Sequence, residues 1–346
     1  MRLLFDIGHP AHVHLFRNAR NILIKRGHRI FMTARKKEVT HQLLNEYEIN
    51  YTSCSTYRAG LRRGIELLEW LTIVKRVIKK NKISIVVSIG SPAAAWAAKM
   101  YGIPHIAFND TEISYSQRIL YAPASVKIFT PACLLADYGP KQVRYDGIHD
   151  LAYLRPEYFK PDPMVKKEMG VKGNEKYVIL RFISWDATHD WLHQKTGINI
   201  KSDIIKAVAK ENKVFISAEG KLPPDIEVFR LKLPPNRLHD AMAFAAAVIG
   251  DGATTATEAA VLGIPSLYIS TPKFINSLGC IRFLSKEYKL LDTIKINNFC
   301  SEDLDEFLNT PRLEERAKER TRLLADTIDV STYIADKCEE YAVKTI

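Results

Sequence analysis

Short β-branched and apolar runs alternate along this chain with longer stretches whose apolar residues recur at helical spacing, and that alternation constrains the fold more than any single motif. Parallel strands cannot be closed by a tight hairpin; each needs a crossover of a dozen or more residues, usually a helix. The pattern therefore predicts an α/β chain built on parallel sheets. In the first half, strands are expected at Leu3–Ile7, Arg29–Thr33, Ile83–Ile89, His105–Phe108 and Val126–Phe129, with helices over Val13–Lys25, Leu61–Lys80 and Ala93–Tyr101. A polar, proline-bearing stretch, LRPEYFKPDPMVKKEMGVKGNEK, interrupts the pattern and marks a boundary. A second series follows, with strands at Tyr177–Phe182, Val214–Ser217, Glu227–Leu231, Ala247–Ile249 and Ser266–Ile269. The domain reading is residues 1–155, residues 156–325, and a closing helical stretch 326–346 that packs back on the first domain. Leu313, Leu323, Leu324, Ile328, Ile334 and Tyr341 are its expected packing positions and those of the helical pattern just before it.

The two halves echo each other: AAAWAAKMYGIPHIAF around Gly102 and TTATEAAVLGIPSLYI around Gly263 both read as helix, Gly-Ile-Pro, strand. The glycine supplies a left-handed helix end and the proline blocks continuation, so helix-ending chemistry alone can account for the triplet. With 346 residues, 47% of them hydrophobic, the chain is long enough for two separate cores. Asp6 and three histidines break the opening segment where a secretory signal needs an apolar run, and no stretch reaches the ~18 apolar residues of a membrane span. The expectation is a cytoplasmic protein, soluble or peripheral on the inner face of the cell membrane. Five scattered cysteines, never in C-x-x-C spacing, predict neither a disulfide framework nor a zinc site.

A formal net charge of +11 points to an acidic partner, either nucleotide phosphate or an anionic membrane surface. Without zinc-finger spacing, an RNP-type strand or a helix-turn-helix, nucleic acid is not an expected partner. The stretch LRRGIELLEWLTIVKRVIKKNK from Leu61 has two readings. It is an amphipathic basic helix for anionic lipid, or a crossover helix buried against the sheet with its charges reaching outward.

Three loops concentrate residues with chemistry. GHPAH, Gly8 to His12, lies between a predicted strand and a helix beginning near Val13. Ligands of open α/β sheets bind outside the carboxyl ends of strands, and a helix N-terminus there offers unpaired N–H groups and a positive dipole end. Gly8 and His9 become binding candidates and His12 a candidate general base, since histidine exchanges a proton near neutral pH. The alternative is that His9, His12 and His14 cap the loop and pack the domain edge. The second segment, AAAVIGDGATTATEAAVLGIP, reads as strand, glycine-rich turn and helix. Gly250 and Gly252 allow close backbone approach, and Gly252, Ala253, Thr254 and Thr255 can present N–H and hydroxyl groups to a diphosphate. Glu258 either accepts ribose hydroxyls or closes a capping box with Thr255. In the third segment, VILRFISWDATHDW, Arg181 and Ser184 are phosphate candidates, Trp185 and Trp191 pack the loop, and His189 with Asp190 forms a local pair. Asp303-Leu304-Asp305 has D-x-D spacing but falls in a polar helical pattern, so no metal is expected.

Taken in order, these segments resemble the GT-B glycosyltransferase superfamily over nearly the whole chain, most closely its peptidoglycan N-acetylglucosaminyltransferase branch. GHPAHVHLF is similar to that branch's first glycine-rich loop, SIGSPAAAWAAKMYGIPHIAFNDTEIS to its second loop and acceptor segment, and GDGATTATEAAVLGIP to its donor segment. The first loop lacks that branch's multiple glycines, and RFISWDATHD stands where it has G-G-S-x-G; an opening G-H-P-x-H together with RFISWDATHD is most similar to an uncharacterised prokaryotic family. The resemblance implies a fold of two Rossmann-like parallel-sheet domains facing a central cleft. It implies transfer of a sugar from a nucleoside diphosphate-sugar, of the UDP-N-acetylhexosamine type, to a glycan or lipid-linked hydroxyl acceptor, with neither cofactor nor obligatory metal. His12 would be the base, with Asp110 and Glu112 the next catalytic candidates and Asn109 and Thr111 beside them. Glu258 would bind ribose, and the turn Gly250, Asp251, Gly252, Ala253, Thr254, Thr255 would face the diphosphate.

The non-hydrolysing UDP-N-acetylglucosamine 2-epimerases share that fold and are the rival reading. Their two acid–base carboxylates match Ser91 and Ala107 of this chain, so Asp110 or Glu112 would serve only by displacement. A nucleotide-sugar-binding protein without catalysis is the third possibility.

Overall fold

The computed structural model describes residues 1–56, 63–113, 115–183, 198–218, 220–310 and 312–342. By packing, the chain separates into two compact units, Met1–Tyr158 together with Thr327–Ile346, and Phe159–Asp326. In the first, β1 (Arg2–Ile7), β2 (Arg29–Lys36), β3 (Thr52–Thr56), β4 (Ile85–Ser88), β5 (His105–Phe108), β6 (Lys127–Pro131) and β7 (Gln142–Tyr145) form one sheet in the order β3-β2-β1-β4-β5-β6-β7. All its pairings are parallel. In the second, β8 (Tyr177–Arg181), β9 (Lys213–Ser217), β10 (Ala247–Gly250), β11 (Ser266–Ser270) and β12 (Asp292–Lys295) pair in parallel in the order β12-β11-β10-β8-β9.

Central strands covered on both faces read as continuous apolar runs rather than alternating ones. Leu3, Leu4, Phe5 and Ile7 of β1, and Val178, Ile179 and Leu180 of β8, are fully enclosed accordingly. The helix Arg63–Asn81 takes the crossover form: Trp70, Val74, Val77 and Ile78 are buried with Leu4, Cys54 and Val86, and Leu67 and Leu71 pack against them. Most of its apolar face is thus committed to the core, while Ile65 and Leu68 are its exposed large apolar residues. Leu61 and Arg62 lie outside the described residues. No helix among the described residues is long and apolar enough to cross a membrane.

The Gly-Ile-Pro echo is realised as helix-ending chemistry in both units. Gly102 and Gly263 take φ of 65° and 80°, the left-handed region that glycine enters without a Cβ penalty, and β5 and β11 follow. Glu227–Leu231 differs from expectation: it is a 3₁₀ turn at Glu227–Phe229 with a single bridge from Arg230 to Ile216. Leu313 is exposed rather than packed, whereas Leu323 and Ile334 are enclosed. The last helix, Val330–Tyr341, lies against the helix Pro10–Lys25 of the first unit. Arg26 there pairs with Asp336 and Glu339, and His28 Nε2 lies 2.6 Å from Glu339 Oε1.

Two buried polar groups tie the first sheet to the turns at its carboxyl edge. Asp6 Oδ1, at the end of β1, accepts from Thr33 Oγ1 at 2.6 Å and Trp70 Nε1 at 2.9 Å, and burial raises this carboxyl's pKa. His105, in β5, sits between two serines at 2.8 Å each. Ser125 Oγ donates to Tyr121 O and Ser88 Oγ accepts from Ser91 N–H. With its hydroxyl hydrogen spent on Tyr121 O, Ser125 must accept from Nδ1–H, and since burial disfavours the charged ring, Nε2 is left to accept from Ser88.

Burial holds the His105 pKa down at about 3, whereas an unfolded histidine titrates near ~6.5. The stability this group contributes is complete above the unfolded value and is lost as pH falls from there towards the folded one, at up to ~1.36 kcal/mol per pH unit. His105→Gln removes the titration but keeps a donor and an acceptor. Urea unfolding free energies measured between about pH 6 and pH 4 should therefore fall less steeply for the variant, by close to one proton's worth of slope. Equal slopes would mean that the ring is not held neutral.

Candidate active site

In an open parallel sheet, ligands bind at the carboxyl edge where the strand order reverses, because neighbouring loops there leave in opposite directions and open a crevice. The first sheet reverses between β1 and β4 and the second between β8 and β10. GHPAH leaves β1, Gly90 and Ser91 follow β4, and the glycine turn leaves β10, so each unit's reversal point carries loops singled out from the sequence.

In the first unit, the helix Pro10–Lys25 begins with proline at its first position and His9 as N-cap, whose Nδ1 accepts from Ala11 N–H at 3.3 Å. His9 Nε2 lies 3.1 Å from Glu38 Oε2. Against its burial, the hydrogen bond from His9 and the charges of His9 and Lys37 hold the Glu38 carboxyl down at about 2. His12 Nδ1 accepts from Gly8 N–H at 3.2 Å. Burial, with His9 adding to it, keeps the His12 pKa well below the ordinary histidine range, while Asp110 opposes the shift. The ring is neutral at neutral pH, and with Nδ1 accepting, its proton sits on Nε2. In that tautomer His12 presents a donor; to act as a base it must release Gly8 N–H.

The loop after β5 divides the remaining candidates. The Asn109 carboxamide is spent on structure, with Nδ2 donating to Thr111 O at 2.9 Å and Tyr138 Oη at 2.7 Å. Thr111 Oγ1 accepts from Ile113 N–H. Glu112 Oε1 accepts from Leu135 N–H at 3.1 Å, anchoring the segment after β6. Asp110 is brought to the histidines: its Oδ2 lies 3.0 Å from His149 Nδ1. Burial pushes its pKa up, but the charge and hydrogen bond of His149, with His12 assisting, hold it below the usual carboxylate value. His149 was not among the residues singled out from sequence; it lies just past β7, a strand whose polar sequence QVRY gave no signal. Ser91 caps the helix Pro92–Met100 by accepting from Ala94 N–H, and Ala107 is enclosed within β5. Among the described residues, no group of three or more histidines, cysteines or carboxylates is placed to hold a metal ion.

In the second unit, the helix Ala253–Leu262 has Gly252 as N-cap without a side-chain cap. Its first N–H groups, at Ala253, Thr254 and Thr255, therefore have no helical or side-chain cap partner and face the turn. Arg181, Gly250, Gly252 and Thr255 border one small space beneath the turn, together with the core residues Val248, Ile249, Ala256 and Leu267. Arg181 donates to Ser217 O at 3.2 Å, and Asp251 Oδ1 accepts from Ile183 N–H at 2.7 Å, tying the β8 and β10 loops together. Gly250 and Gly252 serve different ends. A Cβ on Gly250 would stand 1.8 Å from Arg181 O, whereas one on Gly252 meets nothing closer than 3.5 Å. Thr255 lies inside the helix, so the capping box does not form. Glu258 is instead nearly enclosed, with Oε1 3.0 Å from His239 Nε2. Ser184, with Trp185, His189, Asp190 and Trp191, lies outside the described residues.

Residues 1–343 match the family described as protein of unknown function (DUF354). No curated protein matches the sequence. Solved structures share the fold. MurG of Acinetobacter baumannii is 12% identical, with 98% of this chain and 100% of that one covered and a TM-score of 0.58. MnaA of S. aureus, solved with UDP, is 14% identical over 99% and 97% at a TM-score of 0.68. The UDP-GlcNAc 2-epimerase of Neisseria meningitidis, bound to UDP-GlcNAc, is 14% identical over 98% and 100% at 0.67. The fold is of the GT-B kind, two Rossmann-like parallel-sheet units.

The two turn glycines make a paired test. Gly250→Ala forces β8 and β10 apart and should cost more than ~3 kcal/mol, the upper range for overpacking. Gly252→Ala exchanges one modest N-cap for a poorer one and should cost about 1 kcal/mol or less. Chemical denaturation of both variants checks this; comparable losses would refute the close approach at Gly250.

Proposed function

The chain belongs to the DUF354 family, and we propose that it is a GT-B glycosyltransferase moving a sugar from a nucleoside diphosphate-sugar, of the UDP-N-acetylhexosamine type, to a hydroxyl of a glycan or lipid-linked acceptor in envelope or glycoconjugate synthesis. The observation that carries this reading is the uncapped N-terminus of the helix Ala253–Leu262 beside Arg181 at the second sheet's reversal point. Backbone amides at a helix start suit a diphosphate, and Arg181, whose stem passes Gly252, is the candidate cation for it. They also stabilise it as it departs, when negative charge develops on it. Glu258, one turn further in and fixed by His239, is the group for ribose hydroxyls. The first unit, with His12, Asp110 and His149 gathered at its carboxyl edge, takes the acceptor.

MnaA and the Neisseria epimerase were solved with UDP and UDP-GlcNAc, which favours a uridine donor and keeps 2-epimerisation as the competing chemistry. Transfer is preferred because the positions matching the epimerase acids hold a helix-capping serine and an enclosed alanine.

A thermal-shift series with UDP, GDP, dTDP and CDP, then with their sugars, tests the donor assignment. A nucleotide at 100 times its dissociation constant should add about 2.7 kcal/mol of stability, with UDP giving the largest shift. No shift from any of them would sink the reading, and 2-epimer formation from UDP-N-acetylglucosamine by NMR would replace it with the epimerase. Glu258→Ala would leave His239 buried without its partner, which costs stability by itself. Glu258→Gln keeps an acceptor for His239 and should instead weaken UDP binding by roughly 1–3 kcal/mol, the scale for a charged hydrogen bond, with the melting temperature little changed. Unaltered calorimetric affinity would make the residue purely structural.

A further inference from the structure

The reading above places His149 at the acceptor side without giving it a chemical role. It lies in the Gly147–Asp150 segment beyond β7, with 6% of its surface exposed. Nδ1 is 3.0 Å from Asp110 Oδ2, whereas Nε2 is buried without a hydrogen-bond partner. Buried polar atoms left without a partner are uncommon in folded proteins and call for a cause. An ionised carboxylate only accepts, so Nδ1 carries a proton, and in the neutral form of the ring Nε2 keeps its lone pair. His12 has the opposite arrangement, with Nδ1 accepting from Gly8 N–H and the proton on Nε2. The two rings are close enough for charge on one to be felt by the other. In their neutral forms, one imidazole offers a donor and the other an acceptor.

We propose that His149, oriented by Asp110, is the proton acceptor of the first unit's site, and that His12 serves there as a hydrogen-bond donor through Nε2. This rests on the transferase reading. As the acceptor oxygen bonds to the anomeric carbon, its proton passes to His149 Nε2. The bond between the anomeric carbon and the diphosphate oxygen breaks, and the nucleoside diphosphate leaves with the electron pair. Asp110 is a positioning residue: it fixes the His149 tautomer and stabilises the imidazolium without itself taking the proton. The acceptor hydroxyl is the partner that Nε2 lacks.

Two measurements test this. Long-range ¹H–¹⁵N correlation on histidine-labelled protein reads the tautomers without any substrate, with His12→Ala and His149→Ala assigning the rings. His149 should appear with its proton on Nδ1 and His12 with its proton on Nε2, and Asp110→Asn should erase the His149 preference. A proton on His149 Nε2 in the unsubstituted protein overturns the proposal. The second measurement is release of UDP from UDP-N-acetylglucosamine, with water as acceptor. His149→Ala, assayed well below a melting temperature that the loss of a buried ring will lower, should reduce turnover about 100-fold or more, keep its UDP affinity, and recover in part with added imidazole. Asp110→Asn should lower kcat with KM little changed, and Asp110→Glu should restore part of it. His12→Ala should lose only about tenfold, the scale of one hydrogen bond. An active His149→Ala beside an inactive His12→Ala would make His12 the base and overturn the assignment. Protein that neither binds UDP nor releases it would instead sink the transferase reading, leaving the tautomer result to stand or fall alone.

Discussion

Parallel pairing is the constraint from which the rest of this structure follows. Because every strand of a sheet points the same way, every connection must cross back over a face, and every carboxyl end is delivered to one edge. The crossovers bury both faces, which is why β1 and β8 are apolar almost without interruption and why the helix Arg63–Asn81 spends Trp70, Val74 and Ile78 on the sheet. The carboxyl edge collects loops from positions far apart in sequence. His12, Asp110 and His149 come together because β1, β5 and β7 all end on the same side.

Loops at such an edge are held by the polar groups buried beneath them. The Ser88–His105–Ser125 chain supports the turn that begins the helix Pro92–Met100, since Ser88 also accepts from Ser91 N–H. Asp6 joins the end of β1 to β2 and to Trp70. In the second unit, Asp251 ties the β10 turn to the β8 loop and His239 fixes Glu258. Each arrangement pairs donors with acceptors inside a low-dielectric core, where an unpaired polar group is costly and a paired one is rigid. The loops gain definition from below, which a site on a surface turn would lack.

Most strands legible in the sequence are interior ones; the exception is the edge strand β9, marked by the buried alternate residues Val214 and Ile216. Those missed, β3 (TSCST), β7 (QVRY) and β12 (DTIK), are all edge strands, where half the environment is solvent and polar side chains are tolerated. The converse error was EVFRL, whose apolar residues sit at strand spacing but make only one bridge; periodicity reports burial, not pairing. The same blindness hid part of the site. His12 could be found because its loop follows an unmistakable core strand. His149 follows an edge strand, so nothing in its neighbourhood marked a carboxyl end. The donor-side turn was legible from its glycines, but not their roles. Gly250 is required by the carbonyl of Arg181 and Gly252 leaves room at a helix start, a distinction that only the packing around each makes.

The two units build their carboxyl edges from different materials. The second relies on main chain, with uncapped amides at a helix start and a glycine that lets two strands touch, and main-chain geometry survives extensive sequence change because it depends on φ, ψ and the absence of a Cβ. The first relies on side chains whose protonation is set by their neighbours: a backbone N–H fixes one imidazole and a carboxylate fixes the other. Similarity of 12–14% to solved structures shows a shared fold, whereas function resides in particular residues placed on that scaffold. A pair of histidines with opposite tautomers is a property of this chain's own loops. What chemistry the first unit performs is therefore decided by Gly8 N–H and Asp110, the two groups that determine which ring gives a proton and which receives one.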